Sequence, residues 1–312
     1  MLPAMQPSPP ARNQTLAHIL LFITPALFST NMLLARVAAD YFPPVALATW
    51  RWGAVCLLLL PVCGAELWRL RGALWREAGE LLVLGALGMG ICGAVVYLGA
   101  ATTTAINIGL IYTISPVLIL LLSALMFGEK LGLRQGLGTC LALAGVLFII
   151  LRGDLGTLLS VSFSAGDLLI LMAAAAWALY SVLLKRWPSS LGLTARLAAT
   201  AGAGAIVMLP FLAWEHVTRG PPVFDGRTVA TLITAILLPG LLAYGAHSFI
   251  TRNLGPSLTG LMLYLSPVYT AFLAWLMLDE SFAFYHWAGS AMVLPGLYLA
   301  TYTPSQPQQE AR

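Results

Sequence analysis

"TISPVLILLLSALMFGE", residues 113–129, is an apolar run with a proline inside it, and "LSPVYTAFLAWLMLDE", residues 265–280, repeats the phrase further along the chain. Setting Pro116 against Pro267 gives an offset of 151. Ser115 then meets Ser266, Val117 meets Val268 and Glu129 meets Glu280, while Gly109, Gly138 and Gly145 meet Gly260, Gly289 and Gly296. About a dozen of the 37 positions from 109 to 145 are identical. A Leu/Ala-rich composition yields chance matches, but it does not place a Ser-Pro, a glutamate and three glycines in one register. The chain reads as two copies of one unit.

Composition says what solvent the units face. Of 312 residues, 59% are hydrophobic and 9% charged, against roughly 25% charged in a typical soluble domain. With a mean hydropathy of +0.87, the solvent must be lipid. The net charge of +4 is spread over loops, and no basic run points to nucleic acid. The four cysteines lie in apolar stretches without a C-x-x-C pair, and no metal or cofactor motif is present.

About 20 apolar residues cross a bilayer as a helix. Ten such segments are expected, near 17–38, 43–63, 79–101, 103–127, 133–152, 166–186, 191–214, 228–250, 256–278 and 283–303. Residues 1–16 form a disordered N-terminal lead, 17–152 the first five-helix repeat, 166–303 the second and 304–312 a C-terminal tail. With the N-terminus in the cytoplasm, eleven basic residues fall at inner ends (Arg12, Arg69, Arg71, Arg76, Lys130, Arg134, Lys185, Arg186, Arg196, Arg252 and Arg312). Four, Arg36, Arg152, Arg219 and Arg227, fall outside, and both termini are expected in the cytoplasm. Five is odd, so the second unit enters from the opposite side. The fold class expected is an all-α membrane protein of ten transmembrane helices in two inverted five-helix repeats, an architecture of secondary transporters. Pro116 and Pro267 interrupt corresponding helices, because proline lacks the N–H that a helix needs, and they are candidate hinges.

Residues 97–149, "YLGAATTTAINIGLIYTISPVLILLLSALMFGEKLGLRQGLGTCLALAGVLFI", resemble the EamA-type signature of the drug/metabolite transporter superfamily. The shared features are Pro-Val in a kinked fourth helix, then Gly-Glu, a short basic turn and spaced glycines. "LYLSPVYTAFLAWLMLDE" with Gly289 and Gly296 matches less well, since Asp279 replaces the family glycine and Ser281 the basic residue. The likeness is greatest to bacterial aromatic amino-acid exporters of the YddG kind. It implies a multi-pass protein of the bacterial cytoplasmic membrane that exports small metabolites.

Polar and aromatic residues at mid-depth are the candidate substrate path. Thr24, Phe28 and Asn31 share a face of the first helix. Thr104, Asn107 and Ser115 share one in the fourth, with Tyr112 at its edge. Trp177 and Tyr180 stand together in the sixth, and Tyr244, His247 and Ser248 in the eighth. Tyr97 lies toward the outer end of the third, and Tyr264 near Pro267. Such residues describe an aromatic-walled cavity for a flat zwitterion; the same serines and threonines also serve elsewhere as glue between helices. Arg51 is the one strong charge within a span, so it must be paired, snorkel outward or face water; its role is then a structural pairing or the attraction of a carboxylate. Every Asp and Glu lies at a helix end or in a loop, and Glu129 and Glu280 are expected to cap neighbouring helices or fix the hairpin. No intramembrane acid is available to carry protons, so His247 carries coupling or the substrate's own gradient drives transport. The latter is expected.

Enzyme chemistry is not expected. Only Asp279 and Glu280 stand adjacent as acids, too few for a pyrophosphate site, and His247 and Ser248 point about 100° apart on a helix. The expected partners are a small-molecule substrate, most readily an aromatic amino acid, and the lipid bilayer; a monomer suffices. The alternative is a broad-specificity drug exporter or a carrier of another solute such as a sugar derivative.

Overall fold

The computed structural model describes residues 11–38, 41–100, 102–103, 105–129, 132–160, 164–278 and 283–301. Thr104, Lys130, Asp279, Glu280, Ser281 and the tail 304–312 lie outside the described residues, as does the expected lead up to residue 10. The described residues are helical, with no strand. Helix α1 (Ala11–Ala38) starts inside the expected lead, because Arg12, Asn13 and Gln14 continue the helix past its apolar part. Helix α2 (Pro44–Arg69) outruns its apolar run at the other end through "GAELWR". A short α3 (Arg71–Arg76) follows, and the exposed rings of Trp68 and Trp75 flank its basic residues.

Helices α4 (Ala78–Leu84) and α5 (Val96–Ala100) are joined end to end by a π-helical stretch, Gly85–Val95. A break at Thr113 separates α6 (Ala105–Tyr112) from α7 (Ile114–Phe127). Then come α8 (Leu133–Ile150), α9 (Ala165–Arg186) and α10 (Leu193–Arg219). Helices α11 (Gly226–Ala235) and α12 (Ala243–Leu254) flank a second π stretch, Ile236–Leu242. Helices α13 (Pro256–Leu261) and α14 (Ser266–Leu278) flank a 3₁₀ turn, and α15 (Phe284–Thr301) ends the described chain. Among the described residues seven helical stretches are long and apolar enough to cross a membrane. Leucines such as Leu57, Leu125 and Leu133 stand exposed on their outer faces, as lipid contact requires. The protein is an all-helical, multi-pass membrane protein.

The offset of 151 reappears in the backbone. The π stretches begin at Gly85 and Ile236, and the helix breaks fall at Thr113 and within Met262–Leu265. Each break lies one turn ahead of its proline, where the missing N–H leaves a carbonyl free. Tyr264 Oη approaches the Thr113 carbonyl at 3.5 Å, so the two breaks face each other.

Corresponding helices pack in pairs, α8 on α15 and α2 on α10. In the first pair Gly138 lies on Gly296 and Gly145 on Gly289, so the two helices run antiparallel. In the second, Glu215 accepts the Val45 and Ala46 N–H groups at 3.1 and 2.7 Å, while Glu66 accepts the Gly192 N–H at 2.6 Å. Each glutamate thereby supplies an acceptor at the start of the other's helix, where N–H groups have no intrahelical partner. The first helix of each half crosses to the other half: α1 packs on α12 and α14, and α9 on α7 and the first π stretch.

Candidate functional site

This exchange of first helices brings the aromatic residues together. Phe28 comes from α1, Trp177 and Tyr180 from α9, and Tyr244 and His247 from α12. The spacing of three residues in α9 and in α12 sets each pair on one helix face. Trp177 has ring centroids of Phe28, Tyr180, Tyr244 and His247 at 5.4, 5.5, 5.5 and 4.9 Å. Tyr180 stacks on His247 at 5.9 Å, and Phe28 meets Tyr244 edge-on at 5.6 Å. The rings therefore fill the centre by touching one another, where the sequence suggests the walls of an open cavity. Two glycines make room for them. A Cβ on Gly88 would lie 2.6 Å from the Tyr180 ring, and the Gly88 carbonyl accepts the Tyr244 hydroxyl at 2.5 Å. Gly93 sits beside Trp52 less tightly, since a Cβ there would meet Trp52 Nε1 and Ala48 Cβ at 3.4 Å, an ordinary contact.

Trp52, fully buried, extends the cluster; its ring lies 4.6 Å from Tyr244. The Arg51 guanidinium lies 4.5 Å from the Trp52 ring centroid. Arg51 is 2% exposed and does not snorkel. Its Nη1 donates to Asn31 Oδ1 at 2.8 Å, and the Tyr97 hydroxyl donates to the same oxygen at 2.8 Å. Among the described residues no carboxylate pairs with it. Four buried polar atoms of this locus have no partner among the described residues: Arg51 Nε, Trp52 Nε1, Trp177 Nε1 and His247 Nδ1. Four other buried polar atoms, on Ser123, Arg196, His216 and Thr251, are likewise unpartnered among the described residues; what sets the first four apart is that ring contacts link the residues that carry them. Ser181 gives its proton to the Trp177 carbonyl at 2.9 Å. His247 Nε2 is therefore the donor of its 3.4 Å contact with Ser181, and Nδ1 presents a lone pair.

The other expected site residues lie apart from the rings or turn to other partners. Thr24, one turn from Phe28, gives its hydroxyl to the Leu20 carbonyl at 2.7 Å. Asn107 donates to both Asp167 oxygens at 3.1 Å, about 15 Å along α9 from Trp177. Thr103 and the Ser164 N–H complete that carboxylate's shell, with Ser164 and Asp167 forming a capping box. Tyr112 packs against a core that includes Val96 and Ile170, and Tyr264 belongs to a separate core with Leu21 and Val146. Ser248 is buried beside His247. Glu129 takes the Ser257 side-chain hydroxyl near the start of α13 and sits 3.8 Å from Lys185 Nζ, so its described contacts are with side chains and not with the backbone N–H groups that capping would engage. Sequence reasoning missed Trp52 and Gly88, for which "TWRWG" and the glycine-rich third segment were the available signals.

Compared with known proteins, the sequence matches the EamA-like transporter family over residues 15–151 and again over 164–302. The chain belongs to the EamA-like transporter family. It is similar to an "Uncharacterized transporter" of Archaeoglobus fulgidus, 27% identical over 91% of this chain and 96% of that protein. It is also similar to the inner membrane transporter YedA of Escherichia coli K12, 25% identical over 90% and 89%. The transporter YyaM of Bacillus subtilis is 31% identical across 154 residues, about half of each chain. One solved crystal structure shares the fold, with a TM-score of 0.74 over 92% of this chain and 96% of that one at 22% identity. The family's double match falls on the two sequence repeats, and the family is one of transporters.

Proposed function

We propose that the protein exports small zwitterionic metabolites, aromatic amino acids most readily, by alternating access across the bacterial cytoplasmic membrane. The observation that carries this is the ring cluster, to which helices of both halves contribute and in which Trp52, Trp177 and His247 hold unpartnered polar atoms. A flat ring entering the cluster replaces ring-to-ring contacts with contacts of the same kind. The substrate ammonium has a ring face or His247 Nδ1 to meet. The proposed frame is ten crossings in two inverted halves with both termini cytoplasmic. The antiparallel packing of the corresponding helices α8 and α15 supports the inversion. Separation of the rings follows from rocking of the halves about the breaks ahead of Pro116 and Pro267.

The test is transport by the purified protein in liposomes. Phenylalanine should cross chemically unchanged, down its own gradient and without an imposed proton gradient. His247→Ala should show the same dependence on pH gradient as the wild type. A protein that moves small polar solutes and excludes phenylalanine and tryptophan overturns the substrate assignment. A gradient requirement that vanishes in His247→Ala overturns the uncoupled mechanism.

A further inference from the structure

We infer that Arg51 is the anchor for a substrate carboxylate, binding it beside the ring cluster. The inference rests on the reading of that cluster as the substrate site and adds the polar end of the ligand. Arg51 lies seven residues into α2, about 10 Å from the helix start, and is 2% exposed. A charge at that depth is expensive unless an anion or water meets it. Its contacts within the protein are an amide oxygen and an indole face, both neutral. The Asn31 oxygen is shared with the Tyr97 hydroxyl, so it offers Arg51 only part of its capacity. Nε keeps a buried N–H without a partner among the described residues. No side chain at Gly93 obstructs the approach to Nη2, from which a Cβ there would be 3.8 Å away.

Distance fits the rest of the ligand. The Arg51 guanidinium lies 4.5 Å and the Tyr244 ring 4.6 Å from the Trp52 ring centroid, so both neighbour the same indole. A carboxylate on Arg51 therefore leaves an amino acid's side chain directed at Tyr244 and Trp177. The protein supplies a fixed cation and, among the described residues, no carboxylate paired with it, and the substrate brings the anion.

Binding by the purified full-length protein, measured calorimetrically in detergent, tests this with four probes. They are phenylalanine, phenethylamine (the same ring and ammonium without the carboxylate), leucine, and sodium chloride as a bare anion. Wild type should bind phenylalanine about 10- to 150-fold more tightly than phenethylamine, the range of a charge-assisted hydrogen bond. Arg51→Gln should bring that ratio to within about threefold while leaving phenethylamine binding in place. Asn31→Asp should do the same by giving Arg51 an internal carboxylate, and it decides the matter if Arg51→Gln does not fold. An unchanged ratio in the variants overturns the anchor. So does the absence of any preference in wild type, or chloride competing as well as leucine. If leucine binds as tightly as phenylalanine and still depends on Arg51, the aromatic assignment falls and the anchor stands.

Discussion

Gly145 and Gly289 lie backbone against backbone, and a Cβ built on either would stand 2.7 Å from the other's carbonyl oxygen. The α8–α15 pair can approach this closely only while both positions lack a side chain. Gly289→Ala also meets Ile149 Cγ1 at 2.3 Å, so it should cost about 1–3 kcal/mol as an overpacked contact. Gly136→Ala in the same α8 meets open space and should stabilise by about 0.5–1 kcal/mol. Thermal unfolding in detergent distinguishes them; equal midpoints for both variants would contradict the close crossing.

Glu66 and Glu215 form a second reciprocal pair, and they differ in burial. Glu215 is 4% exposed and holds two N–H groups, whereas Glu66 is half-buried and holds one. Glu215→Ala should cost about 2–4 kcal/mol by stranding two buried donors, and Glu66→Ala about 1 kcal/mol. The order of the two melting temperatures is the check.

Two acids outside the spans make stability pH-dependent. The Thr228 N–H at 2.7 Å holds the Asp225 carboxyl below the usual carboxylate range at the start of α11. For Glu77, burial pushes the carboxyl up, but the Ser189 hydroxyl, the Ser190 N–H and Arg196 outweigh it and leave it lowered. Depressed folded values mean stabilisation that is present above the unfolded values, near 4, and lost as pH falls through the folded ones. Wild type should lose melting temperature from pH 5 down to 3 more steeply than Asp225→Asn. Parallel curves would show that the cap contributes nothing.

Trp177 touches four other rings, so its removal should weaken aromatic ligands by about 0.5–1.5 kcal/mol, or about 2- to 13-fold in affinity. Small polar ligands should change less, because they cannot stack. Monodispersity of the variant is measured first, since misfolding mimics loss of binding. Wild-type export of phenylalanine and tryptophan by well-folded Trp177→Ala, Tyr180→Ala and Tyr244→Ala would reduce these rings to packing.

Both termini are expected in the cytoplasm on ten crossings. A reporter active only in the periplasm, fused after Arg312, should be silent. Activity there would remove the even span count and the inversion with it.

The sequence determined the solvent and the repeat. Apolar runs of bilayer length leave lipid as the only surroundings, and proline and glycine write backbone constraints directly into the chain. Pro116 and Pro267 marked interrupted helices, and Gly138, Gly145, Gly289 and Gly296 marked the register of the repeat; that these glycines seat a close crossing came from the packing of α8 on α15. Helix ends were less legible, because Arg12 to Gln14 and "GAELWR" extend helices without being apolar. Which polar residues meet was decided by tertiary structure alone. Periodicity puts Asn107 on a plausible face, but Asp167, 60 positions away, claims it. The same helical spacing allows Trp177, Tyr244 and Phe28 to line a cavity or to fill one, and only the crossing of α1 and α9 into opposite halves makes them touch. Arg51 was visible as an intramembrane charge. That no carboxylate among the described residues answers it depends on contacts between helices, because a charge's partner is set by distance in space and leaves no local pattern in the chain.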